Sequence, residues 1–259
     1  MKKVAYSLLV FTVIITVLSC KNETKSDENS KISEEANELA LSEKEAETTP
    51  EFMYVTASSG LTLRKHNNLN SDKLGVMLYG TKIKVITPED EETMNIGGIK
   101  GGMHQVEYNQ KTGYAFNGYL SKFFPPEEDI KAKMYAEDLK GEFPAVSFTE
   151  ISGGTASKPT NTEVLVLPTE KWHEAFYIAA ELFDIPKSFA FPNPKGSNEE
   201  TVSENNPKSG TWTSLLTVNR KNDVLEKINY AYSTEGFKYN VTITKEGNKM
   251  KLERTEAAD

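Results

Sequence analysis

Cysteine occurs once in this chain, at Cys20, so no intramolecular disulfide can staple the fold and no thiolate can serve as a nucleophile beyond the N-terminal segment. Histidine occurs three times, as His66, His104 and His173, and none stands at H-x-x-x-H or H-x-H spacing. That removes the usual sequence signature of a zinc site. Past residue 18 there is no apolar run long enough to cross a bilayer as a helix. Positive charge is in deficit: 30 Lys and Arg face 38 Asp and Glu, a formal net charge of −8. Such a balance argues against nucleic acid, whose phosphates call for basic patches, and offers no polybasic attraction to anionic lipid. The glycine pairs Gly97-Gly98, Gly101-Gly102 and Gly153-Gly154 lack the spacing of a phosphate loop or a dinucleotide fingerprint and read as turns. The run Glu89-Asp90-Glu91-Glu92 reads as a solvated loop rather than a pair of working carboxylates. The expectation is therefore no catalytic residue, no metal ligand and no cofactor.

What is present begins at the N-terminus. Lys2 and Lys3 precede residues 4–18, which are almost wholly apolar. That stretch is short for a membrane span and right for a signal peptide. Val17-Leu18-Ser19-Cys20 resembles a bacterial lipobox, which implies removal of residues 1–19 and attachment of lipid to Cys20. Losing residues 1–19 removes two lysines and no acid, leaving 28 basic against 38 acidic residues and a net charge of −10. Residues 21–51 hold ten acids, four lysines and no aromatic residue. Such a segment cannot bury enough apolar surface to offset its ordering entropy, so residues 20–51 are expected to be an acidic disordered tether. Lys21 after the cysteine resembles the sorting pattern for an outer membrane. The expected location is the cell envelope, with the folded part periplasmic or extracellular and the membrane as a partner through the lipid.

Residues 52–124 alternate polar and apolar in short runs divided by turn signals, which predicts five or six strands and a small β-barrel. Pro125-Pro126 marks a boundary. Residues 127–140 read as a helix, residues 145–149 and 163–167 as strands, residues 152–161 as a loop, and residues 170–184 as a helix N-capped by Thr169. His173 reads as an exposed residue of that helix. Residues 188–191 read as a further short strand, and residues 192–210 as a long polar loop. From Trp212 onward apolar residues alternate between turns at Asn222, Gly236 and Gly247, the pattern of an antiparallel meander. Residues 127–259 are thus expected to form an α+β domain, antiparallel meander with one or two helices, of no assigned family.

Ser59-Gly60-Leu61-Thr62-Leu63-Arg64, Tyr79-Gly80, Gly113-Tyr114 and Gly118-Tyr119-Leu120 together resemble a bacterial SH3-type (SH3b) domain, over residues 52–124 alone. After Arg64 the sequence Lys65-His66-Asn67-Asn68 replaces the family's Ser/Gly-Pro loop, and Gly101-Gly102-Met103-His104 lacks the tryptophan often found there. The resemblance implies an SH3-like barrel with an aromatic groove for an extended peptide. Tyr54, Tyr79 and Tyr119 are the candidate groove residues. The functional expectation is a non-enzymatic binding lipoprotein that recognises cell-wall peptide or an envelope protein. The rival readings are a carboxylate-based hydrolase in the C-terminal part and a structural subunit of an envelope complex. A first check concerns Cys20. Cells fed a palmitate analogue should label the wild type and leave Cys20→Ser unlabelled; equal labelling of both would refute lipidation.

Overall fold

A computed structural model of the chain describes residues 51–258. The signal segment 1–19, Cys20 and the tether expected over 20–51, Glu51 excepted, lie outside the described residues. Residues Thr49–Asp259 form one compact unit. Its first nine strands are β1 (Glu51–Val55), β2 (Leu61–Arg64), β3 (Lys73–Met77), β4 (Lys82–Thr87), β5 (Met94–Ile96), β6 (Ile99–Gly101), β7 (Met103–Tyr108), β8 (Lys111–Phe116) and β9 (Leu120–Ser121). Strands β5 and β6 make a separate hairpin, and the other seven pair in the order β3-β2-β8-β7-β4-β1-β9. Period-two alternation places Met53, Val55, Leu61, Leu63, Ile83 and Val85 in the core.

The helix α1 (Ala132–Lys140) follows, then β10 (Ser147–Thr155), β11 (Lys158–Leu167), α2 (Trp172–Leu182), β12 (Glu199–Ser203), β13 (Thr211–Lys221), β14 (Val224–Thr234), β15 (Phe237–Glu246) and β16 (Lys249–Ala258). These strands form a second antiparallel sheet in the order β10-β11-β16-β15-β14-β13-β12. The helix α1 packs on β10 and β11, and α2 packs on β15 and β16.

The expectation of a small SH3-like barrel followed by an α+β domain is corrected by this topology. The first sheet is open, with β3 and β9 at its edges. Closure would need β9 to pair on both sides, yet β9 has two residues and the chain leaves it toward Pro125-Pro126, which cannot extend a ladder. The second half is dominated by its seven-stranded sheet, so the described residues are mostly antiparallel sheet with two α-helices. Two sheet segments were read as loop. Strand β12 is the polar edge Glu-Glu-Thr-Val-Ser, exposed throughout, so it carries no alternation to read. Residues 152–161 continue the β10–β11 hairpin through the pairs Ser152↔Asn161 and Gly153↔Thr160. Conversely, residues 188–191 form no strand.

The helices also start later than their patterns suggest. Asp129 adopts φ 61° and α1 begins only at Ala132. The N-cap of α2 is Lys171, without a side-chain cap. Thr169 Oγ1 instead accepts from the Lys171 backbone N–H at 3.1 Å and donates to Glu174 Oε2 at 2.6 Å. Gly113 and Gly118 serve close approach rather than positive φ. A Cβ at Gly113 would lie 2.6 Å from the Arg64 carbonyl oxygen, and one at Gly118 would lie 2.4 Å from the Phe116 ring.

The sequence places His173 on an exposed helix face; the structure buries it. Its ring meets Phe191 edge-on at 6.0 Å between centroids, and its Nε2 is buried without a hydrogen-bond partner. Burial first, and then Lys171, push its pKa down to about 3. The neutral ring is therefore the form the fold accepts. Its contribution to stability is complete above the unfolded value near 6.5 and is lost as pH falls toward about 3, at up to about 1.4 kcal/mol per pH unit. His173→Leu should flatten the acid side of a plot of urea midpoint against pH within that window. An unchanged slope would show that His173 titrates normally.

Candidate functional site

The residues around β2 form the site from the bottom up. Gly60, at φ 83°, closes the turn after Ala57, its N–H donating to the Ala57 carbonyl at 2.9 Å. Alternation along β2 then buries Leu61 and Leu63 and leaves Thr62 and Arg64 half-exposed. The following loop folds back on the strand. Lys65 N–H donates to the Asp72 carbonyl at 3.0 Å, His66 N–H to Ser71 Oγ at 2.8 Å, and Arg64 Nη1 to the Ser71 carbonyl at 3.0 Å. The last bond fixes where the guanidinium sits.

Facing this loop is the 3₁₀ turn Asn117–Tyr119. Asn117 pins it: its Oδ1 accepts from Gly102 N–H at 2.9 Å and its Nδ2 donates to the Glu89 carbonyl at 3.0 Å. His104 is buried beside it. Its Nδ1 accepts from Glu89 N–H at 2.8 Å, and burial, reinforced by Lys171, holds its pKa below the ordinary histidine value. The Phe116 and Tyr119 rings flank the turn, edge to face at 5.7 Å. The β5–β6 hairpin adds Ile96, and α2 adds Tyr177 from the other half of the chain. Together these groups line an open cavity of about 270 Å³. Burial, with a smaller effect of Tyr119, pushes the Tyr177 phenol up to about 12, so it remains a hydrogen-bond donor.

The three candidate tyrosines do not converge. Tyr119 lines the cavity. Tyr79 borders a second space of only about 10 Å³, with Phe123, Pro125 and Tyr177 around it; burial and then Glu181 push its phenol up to about 12. That space holds at most a single water. Tyr54 lies elsewhere, its ring edge-on to Phe124 at 6.2 Å with Lys82 Nζ 5.6 Å from its centroid. Tyr177 was missed because its helix reads as core. It falls beside the apolar stripe rather than on it, and an aromatic off the stripe is the signal that could have found it.

The carboxylates of the second sheet were weighed as the basis of a hydrolase. Burial pushes the Glu163 carboxyl up, Glu150 and Glu256 add to the shift, and Arg254 and Lys131 oppose it. Arg254 Nη1 lies 3.1 Å from Glu256 and 3.7 Å from Glu163, with its guanidinium 4.8 Å from the Tyr239 ring centroid. These acids neutralise an arginine, and neither cavity reaches them. Among the described residues no group of His, Cys, Asp and Glu is arranged to hold a metal ion, and no helix is long and apolar enough to cross a membrane.

Comparison with known proteins supplies no family. No family model matches the chain, and no curated protein does. Among solved structures, CalU16 from Micromonospora echinospora matches at 11% identity over 44% of this chain and 71% of its own, with a TM-score of 0.21. A likeness at that score carries no argument about fold or function.

The distinct settings of the tyrosines give distinct expectations. Tyr119→Ala should keep its melting point and lose about tenfold in retention of cell-wall peptide, about 1.4 kcal/mol. Tyr79 is 37% exposed, and neither Tyr79→Ala nor Tyr54→Ala should lower the melting point or the retention. If Tyr119→Ala unfolds the protein, Tyr119 is core.

Proposed function

We propose that this chain is a cell-envelope lipoprotein, held to a bacterial membrane through lipid on Cys20, whose folded part binds cell-wall peptide or an envelope protein without chemistry of its own. The outer membrane is the favoured site, and the acidic segment before Glu51 is the spacer. The observation that carries the binding reading is the open cavity of about 270 Å³ walled by Phe116, Tyr119 and Tyr177 with Arg64 at its side. Aromatic walls give flat apolar contact at low entropic cost, and a few polar groups fix the orientation of what enters. The volume lies just below the 300–1,000 Å³ usual for small-molecule sites, which suits one or two residues of an extended chain. The resemblance of the segments around Arg64 and Tyr119 to SH3b sequences supports peptide as the class of ligand.

The full chain in detergent micelles should be retained by purified peptidoglycan or should capture a protein from envelope extract. Tyr119→Ala should be captured less by the same material. Failure of the wild type to bind either would overturn the reading.

A further inference from the structure

The cavity has one-sided chemistry. In a chain of net charge −8, no acidic side chain among the described residues lines it. Its polar lining consists of the Arg64 guanidinium, the phenols of Tyr119 and Tyr177, and the hydroxyls of Ser58, Ser59 and Thr62. The sequence contains three arginines, Arg64, Arg220 and Arg254. Arg220 is fully buried: Nε donates to the Asn193 carbonyl at 2.9 Å, Nη1 donates to the Ser197 carbonyl at 3.1 Å, and Nη2 lies 2.9 Å from Glu200 Oε2. Arg254 sits between Glu163 and Glu256. Among the described residues Arg64 faces no carboxylate. Its hydrogen bond among the described residues is Nη1 to the Ser71 carbonyl, which orients the guanidinium and leaves Nε and Nη2 to a ligand. The phenol hydroxyls of Tyr119 and Tyr177 likewise make no hydrogen bond among the described residues.

A guanidinium beside hydroxyls that can donate, with no carboxylate among the described lining residues, suits a ligand whose polar end accepts. A single guanidinium matches one negative charge, and the N–H fork of Nε and Nη2 matches a carboxylate. The rest of the wall is apolar, with Ile96, Met103, Phe116, Leu61 and Leu69. A highly charged anion would leave that surface unused, whereas an apolar side chain beside a carboxylate would fill it. Both features belong to the end of a peptide.

We infer that the cavity captures the free C-terminal carboxylate of an extended peptide, with Arg64 pairing the carboxylate, Tyr119 and Tyr177 donating to it, and the terminal apolar side chain lying against Phe116 and Met103. The inference rests on the binding reading and narrows it from peptide in general to the peptide terminus.

The test is fluorescence anisotropy with the full chain in detergent micelles. The probes are an N-terminally labelled glycyl-glycyl-alanyl-leucine with a free carboxylate and the same peptide as its C-terminal amide. The acid should bind at least tenfold more tightly than the amide. Arg64→Gln should erase that difference at an unchanged melting temperature, and Tyr177→Phe should narrow it about threefold. Because Arg64 also holds its loop, Leu69→Trp provides a second variant. Leu69 is 42% exposed, so a larger ring there should obstruct the cavity without disturbing the core, and binding of the acid should fall at least tenfold. Equal affinity for acid and amide overturns the inference and leaves the binding reading in place. So does binding that survives Leu69→Trp in full. If neither peptide binds, the inference is overturned, and retention on peptidoglycan then decides separately whether the binding reading stands.

Discussion

Tyr135 is fully buried, meets Phe124 edge-on at 5.3 Å, and donates from its hydroxyl to the Phe124 carbonyl at 2.8 Å. Phe123, one residue earlier in the chain, meets Phe143 at 4.8 Å. These contacts join the end of the first sheet to α1 and the segment after it, across Pro125-Pro126. A buried phenol without a partner costs about 1–3 kcal/mol, so the single bond to the Phe124 carbonyl decides whether this tyrosine stabilises the seam or weakens it. Burial pushes the phenol's pKa upward, which keeps the donor protonated at any ordinary pH. With the seam closed, one apolar cluster runs from Met53 to Leu252. The first sheet, which does not close on itself, is completed by cover from the second half. The cavity depends on that cover, because Tyr177 reaches it from α2.

A second fastening runs through Arg220. Its guanidinium is enclosed, and a buried charge is costly unless it is paired and hydrogen-bonded. Here it binds two backbone carbonyls in the loop before β12 and sits against Glu200 within that strand. The loop in turn lies close to the β5–β6 hairpin: a Cβ at Gly98 would fall 2.9 Å from Pro194 Cδ and 3.1 Å from Asn193 Cα. The hairpin carries Ile96 into the cavity wall, and Tyr119 Oη lies 3.6 Å from a Cβ position at the neighbouring Gly97. One buried cation on the second sheet thus fixes a loop, the loop braces a hairpin, and the hairpin shapes the site. Only glycine at Gly98 allows the backbones to approach so closely at φ 82°.

The legible parts of this architecture are those where one periodicity dominates. Leu61 and Leu63, Ile83 and Val85, and Tyr239, Val241 and Ile243 each alternate with polar neighbours, and each is buried as that alternation predicts. What escaped lacks periodicity or is decided at long range. Strand β12 is an edge exposed throughout, and the far end of β10, residues 152–155, is exposed as well, so neither shows the alternation of a half-buried strand. Closure of the barrel was misjudged because strand count and turn spacing are local, whereas an open edge is set by which strands meet. His173 was misplaced because its neighbour Phe191 arrives from a turn rather than from its own helix. Of the residues lining the candidate cavity, Arg64 and Tyr119 stand in segments that the sequence singles out, whereas Tyr177 lies within a helix. A cavity shared between two halves has no contiguous signature.

The distribution of charge favours the shared cavity over the acid-rich sheet as the candidate site. Around Arg254 the carboxylates of Glu163 and Glu256 answer the guanidinium at 3.7 and 3.1 Å, and the Tyr239 ring covers it. Bringing an anion there would mean displacing partners already paid for by desolvation. Arg220 is closed off entirely. Arg64 differs in both respects: it is half-exposed, and it is oriented by a neutral carbonyl rather than a carboxylate. A neutral acceptor positions a guanidinium without cancelling its charge, so the attraction remains available to a ligand. The same holds for the phenols, since burial keeps Tyr177 protonated and its hydroxyl has no intramolecular acceptor among the described residues. Aromatic walls and uncommitted donors thus lie together where, among the described residues of a strongly acidic chain, no acidic side chain lines the cavity.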